Sequence, residues 1–362
     1  MEIGRGAWAS AGGAYRARRH FASLDGLRCL AILPVVWHHS TPRPPSGWLG
    51  RGPLGVHLFF AVSGFLITTL LLRERRGTGT VSPRSFYARR GLRIFPLYYA
   101  VLALYAARAS LLLPDSAPRA HFLGNLPYFA TFTANWFVDF GVPHAVIFGF
   151  SWSLCTEEQF YALWPWVLRW SSTWRGPALV ALGLLALDGA AERGLLAPVL
   201  GAHGVLVNVV TSLSAPICLG ALVAILLDEP RSHRVLAPLL GAAGTAPALL
   251  AALAVLVAWD GAPLLAIHLV MAALVGAVCL SEDNGLARAL CAPLVRHVGV
   301  VSYGVYLLHV AVITLVKHAL PGPEPRAAAV FAVAAPLSVA LATLCHRHFE
   351  RPFLALRDRL RR

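Results

Sequence analysis

Charge is what this chain has least of. Only 13% of its 362 residues are Asp, Glu, Lys or Arg, against 57% hydrophobic ones, and the mean hydropathy is +0.64. A soluble core cannot absorb that much apolar sequence, so the composition excludes an ordinary globular domain and indicates a polytopic membrane protein. Acids are scarcer still, 17 against 31 basic residues. The first twenty residues carry no apolar segment, so no cleavable signal peptide is expected before the first span. The six cysteines (29, 155, 218, 279, 291 and 345) show no paired spacing, so neither a disulfide framework nor a metal site is expected. No internal repeat, low-complexity tract or appended soluble domain is legible.

What is present is a succession of apolar runs of bilayer-spanning length. Ten can be drawn, at 27–41, 53–72, 92–113, 152–170, 176–191, 204–227, 235–258, 262–280, 297–319 and 327–346. The stretch 122–150 is apolar but broken by Pro127, Asp139, Gly141 and Pro143, and reads as an interfacial or re-entrant segment. The expected fold is an all-α transmembrane bundle of about ten spans. A basic tail (1–23), a membrane domain (24–352) and a second basic tail (353–362) follow from the same pattern.

A net charge of +14 raises nucleic acid as a partner, but the positions of the bases argue for a bilayer instead. With the N-terminus inside and ten crossings, 23 basic residues and Arg28 fall on the inner side. Seven fall outside: Arg43, Arg51, Arg108, Arg119, Arg193, Lys317 and Arg326. This is the positive-inside asymmetry, and it places both termini in the cytoplasm.

Ionisable side chains within apolar helices are functional candidates, because burying them is costly. Arg28 and His39 stand eleven residues apart, three helical turns, so they share one face about 16 Å apart along the axis. His39, beside His38, is either an interfacial histidine or a general base near neutral pH. Arg28 is either a snorkelling anchor or, with Arg90 and Arg93, part of an anion site built from guanidinium forks. In the second run, Gly55 and Gly64 permit close helix contact, and Ser63 reads as packing or as bonding its own backbone. His57 is either a structural partner or part of a catalytic network. Glu157 and Glu158 open the fourth run, where a helix dipole favours acids; one of them can face the interior and orient an imidazole or a hydroxyl. In the ninth run Ser302, Tyr303, Tyr306 and His309 are read as hydrogen-bonding neighbouring helices rather than as one stripe. The sequence RHFERPF, with Glu350 and Pro352, reads as a helix terminus and stop.

Taken in order, LDGLR at 24–28, Arg28 with His39, GV-x-LFF-x-x-SGFLI at 55–67, Arg90 and Arg93 followed by PLYY, NW at 135, WSL-x-x-EEQFY, SYG-x-YLLH and E-x-P at 350–352 resemble the acyltransferase 3 family of integral-membrane O-acyltransferases. The resemblance implies transfer of an acyl group, usually acetyl, from cytoplasmic acyl-coenzyme A to a hydroxyl of a sugar, glycan or secondary metabolite, in a bacterial inner membrane. It implies His39 as the catalytic histidine and Arg28, Arg90 and Arg93 as donor ligands. The family commonly has Asp where this chain has His57, which leaves open what pairs with His39 and directs attention to Glu157 and Glu158. The hydrolase-like domain fused to some members is missing here, so no second catalytic centre is expected. His57, Ser63, Tyr303 and His309 are the wider network. A secondary transporter is the rival reading, since it would also bury Arg, His and Glu along a pathway; no paired inverted halves support it.

Overall fold

The first apolar run folds as helix α1 (Ala22–Ser40), with Arg28 and His39 both on it. The structure, a computed structural model, describes residues 15–16, 18, 20–41, 47–140, 147–201, 204–281, 283–320 and 326–360. Among these there is no strand. Arg5, Arg19, Arg43, Gly141, Pro143, Arg361, Arg362 and most of the 1–23 tail lie outside the described residues.

Helix α2 (Leu54–Thr78) ends at Gly79, whose φ of +79° suits a residue without Cβ and lets its N–H reach the Arg75 carbonyl at 2.8 Å. Ser82 then caps α3 (Pro83–Leu112) by accepting from the Ser85 N–H, with Pro83 in the first turn, where its missing N–H costs nothing. The 117–140 segment forms three short helices, α4 (Ala117–Gly124), α5 (Leu126–Ala130) and α6 (Ala134–Phe137). None approaches bilayer length. Helices α7 (Trp152–Trp170) and α8 (Arg175–Glu192) follow.

Two expected spans are broken. The 204–227 run divides into α9 (Val205–Thr211) and α10 (Ala215–Asp228), bent by 41° where Ser212, Leu213 and Ser214 precede Pro216. The 235–258 run divides into α11 (Pro230–Leu240) and α12 (Thr245–Ala258), bent by 75° at the Gly241 to Gly244 break. Helix α13 (Leu264–Leu280) leads to α14 (Pro293–Ala319) and α15 (Ala327–Cys345). The expected stop at RHFERPF does not occur. A π-turn over His346–Glu350 carries α15 into α16 (Arg351–Arg359), and Pro352 falls in the first turn of the new helix, where its missing N–H is tolerated.

Among the described residues four helical stretches are long and apolar enough to cross a membrane: Leu54–Thr78, Pro83–Leu112, Pro293–Ala319 and the continuous Ala327–Arg359. The two bent pairs raise the number to six. The chain is thus an all-helical integral membrane protein.

Polar contacts sort the helix ends into two layers. In one, Arg75 at the end of α2 donates to Leu168 and Ser171 at the end of α7, Arg76 pairs with Asp228 at the end of α10 at 2.6 Å, and Arg18 donates to Cys279 at the end of α13. In the other, Lys317 at the end of α14 donates to the His39 carbonyl at 3.2 Å, and Arg51, just before α2, donates to the Asp260 carbonyl, between α12 and α13, at 2.7 Å. Glycines let the helices between these layers approach closely. A Cβ on Gly64 would strike the Ile217 carbonyl and one on Gly220 the Ala61 carbonyl, so α2 and α10 cross backbone to backbone. Gly55 lies against Ala31 of α1, and Gly299 of α14 against the Asp25 carbonyl. These contacts bring α1, α2 and α14 together around one interior.

Candidate functional site

The arginines between 73 and 93 separate by what holds them. Arg73 donates to the Tyr15 carbonyl at 2.8 Å, Arg75 and Arg76 are bound as described, and Arg89 pairs with Glu74 at 2.9 Å. Glu74 also accepts from the Ser82 N–H at 2.9 Å, so this pair ties the α2–α3 turn. Arg84 is exposed. Arg90 and Arg93 remain, and they join Arg28 around a cavity of about 80 Å³, with Ser63, Glu157 and Tyr303 in the same wall.

None of the three cavity arginines makes a hydrogen bond or ion pair with a described residue. The Arg90 guanidinium lies 4.0 Å from the centroid of the Tyr161 ring, a cation–π contact that orients it, and its Nε is buried without a partner. Three cations stand against the single lining carboxylate of Glu157, whose charge interacts with Arg90, Arg28 and Arg93. The cavity is therefore preorganised for an anion, because buried guanidinium donors left unpaired are costly until one is supplied. Ser63 does not serve its own helix: its hydroxyl faces Glu157. Glu158 lines neither cavity described here and lies near Arg90.

His39 is half-buried at the far end of α1, and its partner is an imidazole rather than either glutamate. His309 Nδ1 lies 2.6 Å from the Tyr306 carbonyl and its Nε2 lies 3.2 Å from His39 Nδ1. A carbonyl can only accept, so neutral His309 carries its proton on Nδ1 and presents an unprotonated Nε2. His39 Nδ1 then bears the proton, shared between His309 Nε2 and the Val35 carbonyl at 2.9 Å. His39 Nε2 is left unprotonated, the nitrogen a general base needs. His309 is fully buried, held between His39 and Phe150 with ring centroids 4.7 and 5.8 Å away.

The arginine cavity and the histidine pair meet at Tyr306, which lines the cavity and lies 5.6 Å from the His309 ring. The Tyr306 hydroxyl is 2.6 Å from Ser153 Oγ and donates to the Phe150 carbonyl at 2.7 Å. Positions 302, 306 and 309 are four and seven residues apart and do lie on one stripe of α14, contrary to the sequence reading. Ser302 and Tyr306 line the cavity, and His309 continues the stripe to His39. Tyr303, one position round the helix, lines the same cavity and donates to the Ile94 carbonyl at 2.8 Å.

His57 goes elsewhere. Its Nδ1 is 2.8 Å from Nε2 of His268, a residue that sequence reasoning missed, and the pair lines a second cavity of about 200 Å³. A lone histidine in the apolar LLAIHLVMAALV gave little to single it out. His38 makes no such pair, and its buried Nδ1 has no partner. Among the described residues no three His, Cys, Asp or Glu side chains gather closely enough to hold a metal ion.

A family model described as an acyltransferase domain matches residues 21–347 of the chain. Peptidoglycan O-acetyltransferase OatA of Listeria monocytogenes is 30% identical over 183 residues, 47% of this chain and 28% of that protein. A Staphylococcus aureus protein bearing the provisional name of an O-acetyltransferase is 34% identical over 161 residues, 42% of this chain and 26% of its own length. Bacillus subtilis YrhL, provisionally named for peptidoglycan O-acetylation, is 32% identical over 160 residues, 41% and 24% of the two chains. The chain thus spans about a quarter of the length of these relatives. No solved structure matches it.

Proposed function

Because the chain belongs to the acyltransferase domain family, we propose that it is a membrane O-acyltransferase moving an acyl group, acetyl in the simplest case, from acyl-coenzyme A to a hydroxyl of a carbohydrate or secondary metabolite. The observation that carries the donor reading is the convergence on one cavity of Arg28, Arg90 and Arg93, which make no hydrogen bond or ion pair with any described residue. Coenzyme A ends in phosphates that guanidinium forks bind well. Its pantetheine arm is long enough to run from that end of α1 toward His39, about 16 Å along the axis.

In this reading His39 Nε2 takes the proton from the acceptor hydroxyl as the oxygen attacks the thioester carbonyl. The C–S bond then breaks, and the departing thiolate recovers that proton from His39, giving an ester and free coenzyme A. His309 holds the imidazole in the tautomer the step requires. The name of the Listeria relative supports a glycan hydroxyl as acceptor. The basic-residue asymmetry supports ten crossings with both termini in the cytoplasm of a bacterial inner membrane.

The test is thiol release from acetyl-coenzyme A by purified, correctly inserted protein. Donor contacts are made in ground and transition states alike, so Arg90→Lys and Arg93→Gln should raise the donor KM more than they lower kcat. Lysine should restore only part of the affinity, because it lacks the planar fork. An unchanged donor KM in both variants would remove the donor role from these arginines.

A further inference from the structure

The second cavity has the opposite electrostatic character from the first. Asp188 and Glu192 stand one turn apart on α8 and both line it, and no arginine or lysine does. Arg193, next in sequence, donates instead to the Gly189 carbonyl at 2.7 Å. Asp188 is 5% exposed and uses one carboxylate oxygen, Oδ2, to accept from the Ala215 N–H at 2.9 Å. Its other oxygen and the whole Glu192 carboxylate have no hydrogen-bond partner among the described residues. The His57–His268 bond occupies one nitrogen of each ring and leaves the other available. Ser214 adds a hydroxyl and Trp152 a flat aromatic face.

This lining is rich in acceptors and empty of cations, and at about 200 Å³ it is many times the roughly 10–15 Å³ one water needs. Asp188 is buried without a counter-charge, which is costly, while Glu192 lies exposed at the rim of the cavity. A protonated amine removes that cost by bringing three N–H donors and a positive charge, and Trp152 can take either the cation or the apolar face of a sugar ring. An anionic ligand would be repelled.

The cavity lies among helix ends of a single layer: the first turns of α2, α7 and α13, the last turn of α8, and the break between α9 and α10. That is the layer of His39 and Lys317, opposite to Arg75 and Asp228. The two cavities back onto each other, since Phe60 lines the first, Trp152 lines the second, and their rings meet edge to face at 6.0 Å.

We propose that this second cavity is the acceptor site, and that the acceptor it takes is a polyhydroxylated molecule bearing a protonated amine. The inference rests on the acyltransferase reading for the word acceptor, but binding is measurable without any donor. The probes are the disaccharide of two glucosamine units and its fully N-acetylated counterpart, which keep the same hydroxyls and differ in charge. Isothermal titration of the 362-residue protein in lipid nanodiscs, with no coenzyme A present, should show the amine form binding at least about tenfold more tightly, the worth of about one charge-assisted hydrogen bond. Asp188→Asn, which keeps an oxygen for the Ala215 N–H, and Glu192→Gln should each erase most of that preference. If Asp188→Asn fails to fold, Glu192→Gln at the helix end carries the test alone. Arg90→Gln should leave the preference intact, which separates this inference from the donor reading. Equal affinity for the two probes, preference for the N-acetylated one, binding of neither, or a preference surviving in the folded carboxylate variants would each overturn it.

Discussion

His39 and His309 divide one task between two side chains. The carbonyl of Tyr306 sets the tautomer of His309, His309 sets that of His39, and the consequence is an unprotonated Nε2 on His39. His39→Ala should abolish transfer, a loss on the order of a hundredfold or more, while His38→Ala, which removes an unpaired ring, should change it little. Full activity in purified His39→Ala would end the assignment. His309→Ala should act differently. It leaves a base held only by the Val35 carbonyl at 2.9 Å, so kcat should fall about tenfold to a hundredfold with the donor KM unchanged. A raised donor KM would show instead that His309 supports the wall of the arginine cavity through Tyr306. Neither partner was legible from spacing: His309 lies 270 residues from His39 and His268 lies 211 from His57. What was legible is that Arg28 and His39 share a helix face, because a spacing of eleven residues returns to nearly the same angle whatever the helix packs against.

At the scale of elements, the site depends on how closely α1, α2, α10 and α14 can approach, and the crossing at Gly64 and Gly220 controls the contact between α2 and α10. Gly64→Val should force the crossing apart and lower the thermal midpoint in detergent, by the equivalent of about 1–3 kcal/mol or more. Gly77→Ala is the control within the same helix. It has nothing within 4 Å of a new Cβ, and alanine is the better helix former by up to about 1 kcal/mol, so stability should hold or rise slightly. Equal losses in the two variants would mean that the crossing is not the cause. The sequence pattern located these helices well, but not the bends at 212–214 and 241–244 or the passage through Pro352. In each case the local residues permit a break or a continuation, and packing selects one.

For the whole molecule, the count of bases makes a claim that fusion reporters can check. Reporters after Arg362 and in the α2–α3 turn at Gly79 and Thr80 should both read cytoplasmic, and one near Ser116 should read external. An external reading after Arg362 would require an odd number of crossings, with the short helices of 117–140 as the segment to re-examine. The sequence by itself determined that this is a helical membrane protein, since apolar runs and scarce charge leave no other solvent for them. It also determined which arginine and histidine share a face of α1, because helical periodicity is a local property. Tertiary structure alone decided which arginines remain without a hydrogen bond or ion pair among the described residues, because the acceptors of the others are carbonyls and carboxylates on distant helices: Leu168 and Ser171 for Arg75, Asp228 for Arg76. It likewise placed Glu157 with Arg28 rather than with His39, and gathered two cavities of opposite charge on either side of Phe60 and Trp152. Those are relations between residues far apart in sequence, set by where helices cross, and no local period encodes them.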